Sequence, residues 1–210
     1  VPTLISREMA KRAPPGMPGR ANLTNREFVF RPAFELGRHI IGYELQKVLA
    51  GVDWFTKESG DKDAKIGVIG YGEGGMLALY AGALDTRIGA IFPLGFFGPL
   101  EDIWQRPIDR NVFSLLSEFG GAELVGMVLP RRFMVSDCIA PQVALPSEGG
   151  APGTVGRPSR DMHYSERTRT QKLVPSIPGL DSPLFSGISF KPDDKEYITS
   201  EKLAEFIGYL

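Results

Sequence analysis

The 210-residue chain is 42% hydrophobic and 23% charged, ordinary for a globular protein with one good-sized core. A formal net charge of −1, with Lys and Arg scattered, gives no electrostatic reason to expect nucleic acid or an acidic membrane surface as partner. No apolar run approaches the roughly 20 residues that span a bilayer. A single cysteine, Cys138, excludes an internal disulfide framework, and His39 and His163 beside it make no zinc cluster, so neither metal nor cofactor is expected.

In chain order, residues 1–6 (VPTLIS) read as a buried strand already under way, and residues 7–25, rich in Pro, Gly and Arg, as a loop. With no initiator Met and no charged region ahead of Val1, the expectation is a piece of something longer, without a signal peptide. Residues 35–57 carry the clearest helical pattern, in Leu36, Ile40, Ile41, Leu45, Val48, Leu49, Val52 and Trp54. His39 on that stretch, beside Arg38, is expected to be a partly buried, locally hydrogen-bonded imidazole. After a polar turn at 59–65, KIGVI (65–69) suits a strand buried on both faces, as in a parallel sheet. A glycine turn at 70–75, a helix over 76–84 and a strand IGAIFPL (88–94) follow. The strand–helix–strand–helix–strand order over residues 1–94 predicts an α/β fold with parallel strands and crossover helices.

Further on, residues 95–111 form an aromatic, Gly- and Pro-containing loop, and 112–119 a helix that 122–127 extends as a layer. RFMVS (132–136) is a fourth strand. From 140 to about 187 hydrophobic periodicity disappears and an irregular segment is expected. A short helix over 200–210, capped by Ser200 with Glu201 in its first turn, closes the chain. This divides the chain into a core at 1–139, a linker-like segment at 140–199 and the terminal helix at 200–210.

The turn Gly70-Tyr71-Gly72-Glu73-Gly74-Gly75 fits two chemistries. Gly70, Gly72 and Gly75 match the dinucleotide pattern G-x-G-x-x-G, whose glycines bring a pyrophosphate close to a helix N-terminus. The same residues match the nucleophile elbow G-x-Nuc-x-G, in which the third residue stands above the sheet. A dinucleotide site wants an acidic residue about 20 positions on, at the end of the next strand, to hold the ribose. Here that strand ends Pro93-Leu94-Gly95, and a strand and a helix already precede the motif, which favours the elbow.

The stretch GYGEGGMLALYAGALDTRIGAIFPLGFFGP (70–99), with VPTLISR (1–7) upstream and LPRRFMVSD (129–137) downstream, resembles the dienelactone-hydrolase and acetyl-xylan-esterase-like branch of the α/β hydrolases. GRHIIGYELQKVLAGVDWF (37–55) and the loop around Trp104 resemble an esterase-like subgroup of large bacterial proteins. The resemblance covers residues 1–132 and implies a partial α/β-hydrolase-type parallel sheet with flanking helices, lacking its first strands, followed by the irregular Pro/Gly-rich segment. Carried over, Gly72 takes the nucleophile position and the Glu73 N–H an oxyanion position, with the second donor expected from an earlier loop outside this chain. Asp137 is the match for the triad acid, and His163 follows in the right order for the base. Glycine cannot attack a carbonyl. It does adopt without penalty a conformation that costs a residue with a Cβ on the order of 1–3 kcal/mol.

The expected result is an esterase-like domain, catalytically impaired and serving as a structural or ligand-binding part of a larger polypeptide. The alternatives are a hydrolase using another nucleophile, such as Ser136 or Cys138, and a nucleotide-binding module. Glu73 is expected at the pocket rim or as a hydrogen-bond acceptor, and His163 as an exposed loop histidine. Tyr71, Phe96, Phe97 and Trp104, near the carboxyl ends of the strands, are candidates to bind a small ester or carbohydrate-like ligand, against the plainer reading that they pack the loop.

Overall fold

The computed structural model describes residues 4–9, 23–61, 64–136, 138–145, 150–156, 158–176, 185–188 and 198–210. Four strands form one sheet in the order β1 (Ile66–Tyr71), β2 (Ile88–Leu94), β3 (Arg132–Ser136) and β6 (Phe185–Ile188), every neighbouring pair parallel. A two-stranded antiparallel ribbon, β4 (Val143–Leu145) with β5 (Gly153–Val155), stands apart. β2 lies between β1 and β3, which is why IGAIFPL is an unbroken apolar run. Its Pro93 can donate no ladder hydrogen bond, and the β2–β3 register skips from Ile91 to Leu94.

Two helices precede the sheet, α1 (Asn25–Glu35) and α2 (Ile40–Ser59). α3 (Glu73–Leu84) crosses from β1 to β2 and is apolar around most of its circumference because it is buried between sheet and helices. The short α4 (Leu115–Glu118) and α5 (Gly121–Val128) lead into β3, α6 (Arg160–Leu173) packs on α5, and α7 (Ser200–Gly208) follows. One face of the sheet buries the main core, with Ile40, Ile41, Leu77, Ile91, Val125 and Phe133 among its members. On the other face Phe206 of α7 stacks on Phe92, with ring centroids 5.9 Å apart, beside Leu94 and Met134.

The strand–helix–strand unit from 66 to 94 follows the sequence reading closely, and several neighbours do not. Residues 4–7 are not a strand, although Leu4 and Ile5 pack against the core. The sequence reading starts its first helix at residue 35, whereas α1 begins at Asn25, behind a Thr24 cap whose Oγ1 accepts from the Glu27 N–H at 3.2 Å. α1 then ends, the chain turns through Gly37 at φ 68, and α2 starts afresh at Ile40. α6 lies within the stretch expected to be irregular. Its inward residues are His163, Glu166 and Thr170, so the helical period is there but carried by polar side chains. The cap of α7 is Thr199 rather than Ser200.

Phe206 is the buried residue through which α7 docks on the sheet. Phe206→Ala should lower unfolding free energy by about 3–5 kcal/mol in urea denaturation. A loss below about 1 kcal/mol would mean that α7 contributes little to the fold.

Candidate functional site: the elbow turn and its arginine cage

β1 reaches α3 through a single residue. Gly72 has φ 55 and ψ −112, outside the range comfortable for residues with a Cβ. Its N–H donates to the Leu94 carbonyl at 3.0 Å, tying the turn to the end of β2, and its own carbonyl accepts from Met76. The glycines around it serve contact rather than torsion. A Cβ on Gly70 would lie 1.8 Å from the Gly74 carbonyl oxygen, and one on Gly75 3.0 Å from that of Leu94. The chain can therefore reverse this sharply only with bare backbone at both positions. At Gly72 itself there is room, since an added Cβ would meet only Pro141 Cδ at 3.5 Å.

Glu73, the first residue of α3, sends its side chain into a cage of arginines. Its Oε1 accepts from Arg7 Nε at 3.0 Å and Nη2 at 2.6 Å, and from Arg110 Nε at 2.8 Å. Arg110 Nη2 is 2.7 Å from the same oxygen, and Arg26 Nη2 lies 4.0 Å from Oε2. Arg7 and Arg26 have further carboxylate partners. Arg7 makes a bidentate pair with Asp109 at 2.9 and 2.8 Å. Arg26, only 1% exposed, donates to Glu44 at 2.7 and 3.0 Å and to Asp109 at 2.8 Å. Arg110 lies 5.9 Å from the centroid of the Phe96 ring. Glu44 also accepts from the Ile5 N–H at 3.3 Å, so the cage ties residues 5–7 to α1, α2, α3 and the single-turn 3-10 helix Ile108–Arg110.

Burial alone would raise the Glu73 pKa, but Arg110, Arg7 and Arg26 outweigh it and hold the carboxyl below its ordinary value. Asp109 is held low in the same way, with Arg7 and Arg26 overcoming burial. Burial also opposes the Arg26 charge, yet Glu44, Glu73 and Asp109 raise its pKa above the usual value. The surrounding guanidinium groups thus favour the ionised form of the Glu73 carboxyl.

The other candidate residues fall in different settings. His163, expected on an exposed loop, is instead buried on α6, where its Nδ1–H donates to the Phe97 carbonyl at 3.0 Å and its ring meets Phe97 edge-on. Asp137 lies outside the described residues. Ser136 and Cys138 are both buried, with the Ser136 Oγ accepting from the Cys138 N–H at 3.1 Å. Phe96 and Phe97 are core residues, Phe96 set edge-on to Tyr80, whose hydroxyl burial pushes up to about 12. Tyr71 is half-buried at the end of β1, while Trp104 is 77% exposed. His39 caps α2: its Nδ1 accepts from the Ile41 N–H at 3.1 Å, and Nε2–H donates to the Asn111 carbonyl at 3.2 Å. Among the described residues no group of three or more His, Cys, Asp or Glu could hold a metal ion, and no helix is long and apolar enough to cross a membrane.

Sequence reasoning found the turn but missed the cage. Arg7, Arg26, Glu44, Asp109 and Arg110 are scattered along the chain, and the one available signal was polar residues on inward helix faces.

No family model and no curated protein sequence matches the chain. Solved structures do. A Bacteroides fragilis protein assigned as an acetyl xylan esterase superposes with a TM-score of 0.56 at 16% identity, over 83% of this chain and 43% of that one. A promiscuous CE15 esterase from the marine bacterial metagenome gives 0.50 at 13% identity, over 82% and 48%. A carbohydrate esterase family 15 glucuronoyl esterase from Caldicellulosiruptor kristjansonii gives 0.50 at 14%, over 98% and 56%. The chain spans about half the length of these proteins. The likeness shows the fold: this is an α/β-hydrolase-type fold, present in part.

Two outcomes follow from this geometry. Gly70→Ala should cost about 3 kcal/mol or more, because its clash is with backbone. Gly74→Ala, with nothing within 4 Å, should stabilise the helix by about 0.5–1 kcal/mol in the same denaturation assay. Stability should also fall on acidification. His39, desolvated and held below 6.5, takes up its proton more readily when unfolded, so loss begins below that value. Glu73 and Asp109 contribute fully above their ordinary 4.5 and 3.8, and that contribution disappears as pH falls through their lower native values. The urea midpoint measured against pH should therefore drop on the acid side, and Asp109→Asn should flatten that limb. An unchanged limb would show that the cage does not set acid stability.

Proposed function

We propose that this chain is a domain of carboxylic-ester-hydrolase ancestry whose elbow has lost its nucleophile, and that it acts as a structural or ligand-binding part of a larger polypeptide. The observation that carries the reading is the backbone of Gly72: φ 55 and ψ −112 at the junction of a parallel strand and a buried helix, preceded by Gly70, where an added Cβ would lie 1.8 Å from the Gly74 carbonyl oxygen. A nucleophile elbow holds its reactive side chain at such a point. Here there is none, and glycine bears the conformation without strain.

Burial of Ser136 and Cys138 argues against a replacement nucleophile, and the ion pairs of Glu73 argue against it as a displaced base. The place in a larger polypeptide is supported by β1, an apolar strand at the edge of the sheet. Beside it lies a cavity of about 420 Å³ lined by Val48, Val52 and Phe55 of α2 and Leu77 of α3. Among the described residues no strand pairs with this edge of β1, and natural sheets normally cover such an edge.

The test is fluorophosphonate labelling with acetyl-ester hydrolysis, on the wild type and on Gly72→Ser. The wild type should neither label nor turn over. Gly72→Ser should label at position 72 and lose on the order of 1–3 kcal/mol of stability through the strain it restores. Labelling or turnover by the wild type would overturn the reading, as would a Gly72→Ser variant that is more stable and still inert.

A further inference from the structure

Glu73 sends its carboxylate into a cluster of arginines at the head of α3. One of its oxygens collects the N–H groups of two arginines; Arg7 also holds a second partner, Asp109, while the Arg110 hydrogen bond goes to Glu73 with the Phe96 ring 5.9 Å away. Arg26 is likewise fixed by Glu44 and Asp109. Two of the three guanidinium groups, those of Arg7 and Arg26, therefore have carboxylate partners other than Glu73, which favours a preorganised anion site. We propose that Arg7, Arg26 and Arg110 form a binding site for a small monocarboxylate at the head of α3, and that the chain fills it from within with Glu73.

Charge and geometry both support the assignment. The cage balances three guanidinium groups against Glu44, Glu73 and Asp109, all but Arg7 and Glu73 nearly inaccessible to water. Removing Glu73 leaves one positive charge uncompensated in a poorly solvated space, where an anion is strongly favoured. The twelve-residue helix α3 adds its N-terminal dipole to that demand. Glu73 also fits its place incompletely. Its Oε2 is buried, makes no hydrogen bond and reaches Arg26 only at 4.0 Å. A free carboxylate, released from the tether of the side chain, can turn so that one oxygen takes Arg7 and Arg110 and the other takes Arg26. Glu73→Ala removes a methylene and a carboxylate, which is the outline of acetate. In the wild type the tethered carboxylate, at high effective concentration, keeps acetate out. The site stands on the ion geometry alone and needs no esterase ancestry.

The experiment is thermal unfolding of the wild type, Glu73→Gln and Glu73→Ala, titrated with sodium acetate and, at matched ionic strength, with sodium chloride. Glu73→Ala should unfold at a lower temperature than the wild type and recover with acetate along a saturating curve, with no comparable gain from chloride. The wild type and Glu73→Gln, whose side chains still fill the space, should show no acetate-specific shift, and adding Arg110→Met to Glu73→Ala should abolish the recovery. If Glu73→Ala does not fold unaided, the yield of folded protein on refolding in acetate against chloride reads the same property. The proposal is overturned if acetate acts no better than chloride on Glu73→Ala in either assay, or if it shifts all three proteins alike.

Discussion

Arg26 carries a full positive charge into the interior, and the arrangement of the first half of the molecule follows from the need to neutralise it. A guanidinium that is 1% exposed and without partners would cost several kcal/mol, so Glu44 and Asp109 must be brought to it. Glu44 comes from α2 and Asp109 from the turn before α4. Asp109 in turn holds Arg7, Arg7 holds Glu73, and Glu73 holds Arg110. The result is one electrically balanced cluster joining segments that the backbone alone would leave independent. It sets where α1 and α2 lie against the head of α3.

The head of α3 is the other fixed point, and its constraint is steric. The turn from β1 into α3 is so tight that Gly70 lies against the Gly74 carbonyl and Gly75 against that of Leu94. Gly72 bridges them with a positive φ and is itself uncrowded. Position 72 has no side chain, and the side chain at position 73 is engaged with the arginines of the cage.

Apolar pattern made β1, β2 and β3 legible, missed β6 at the end of the stretch read as irregular, and left two helices unseen. IGAIFPL is largely buried, so hydrophobicity alone marks it as a parallel strand; KIGVI carries the same apolar pattern, although β1 is only partly buried and its Ile69 is exposed, and α3 is apolar enough to be seen as a crossover. α1 escaped because its inward face includes Arg26 and Glu27, residues normally placed outside. α6 escaped for the same reason, its buried positions being His163, Glu166 and Thr170. In both helices the period of an amphipathic helix is present, but it is written in polar residues that become inward-facing only once a partner is in reach. Glu166, for example, accepts from the Ala122 N–H and from Arg169, and Glu27 from the Ala151 N–H.

By itself the sequence determined the strand–turn–helix–strand unit from 66 to 94 and the bare backbone at Gly72, because both depend on residues adjacent in the chain. Only the tertiary structure decided what Glu73 is for. Its partners Arg7 and Arg110 lie 66 and 37 residues away, and neither local periodicity nor spacing brings them to mind. Tertiary structure likewise placed His163 on a buried helix face and Phe96 and Phe97 in the core. The physical reason is common to all of these. Burial of a charge or a polar ring is decided by which groups converge in space to satisfy it, and that convergence is a property of the folded molecule.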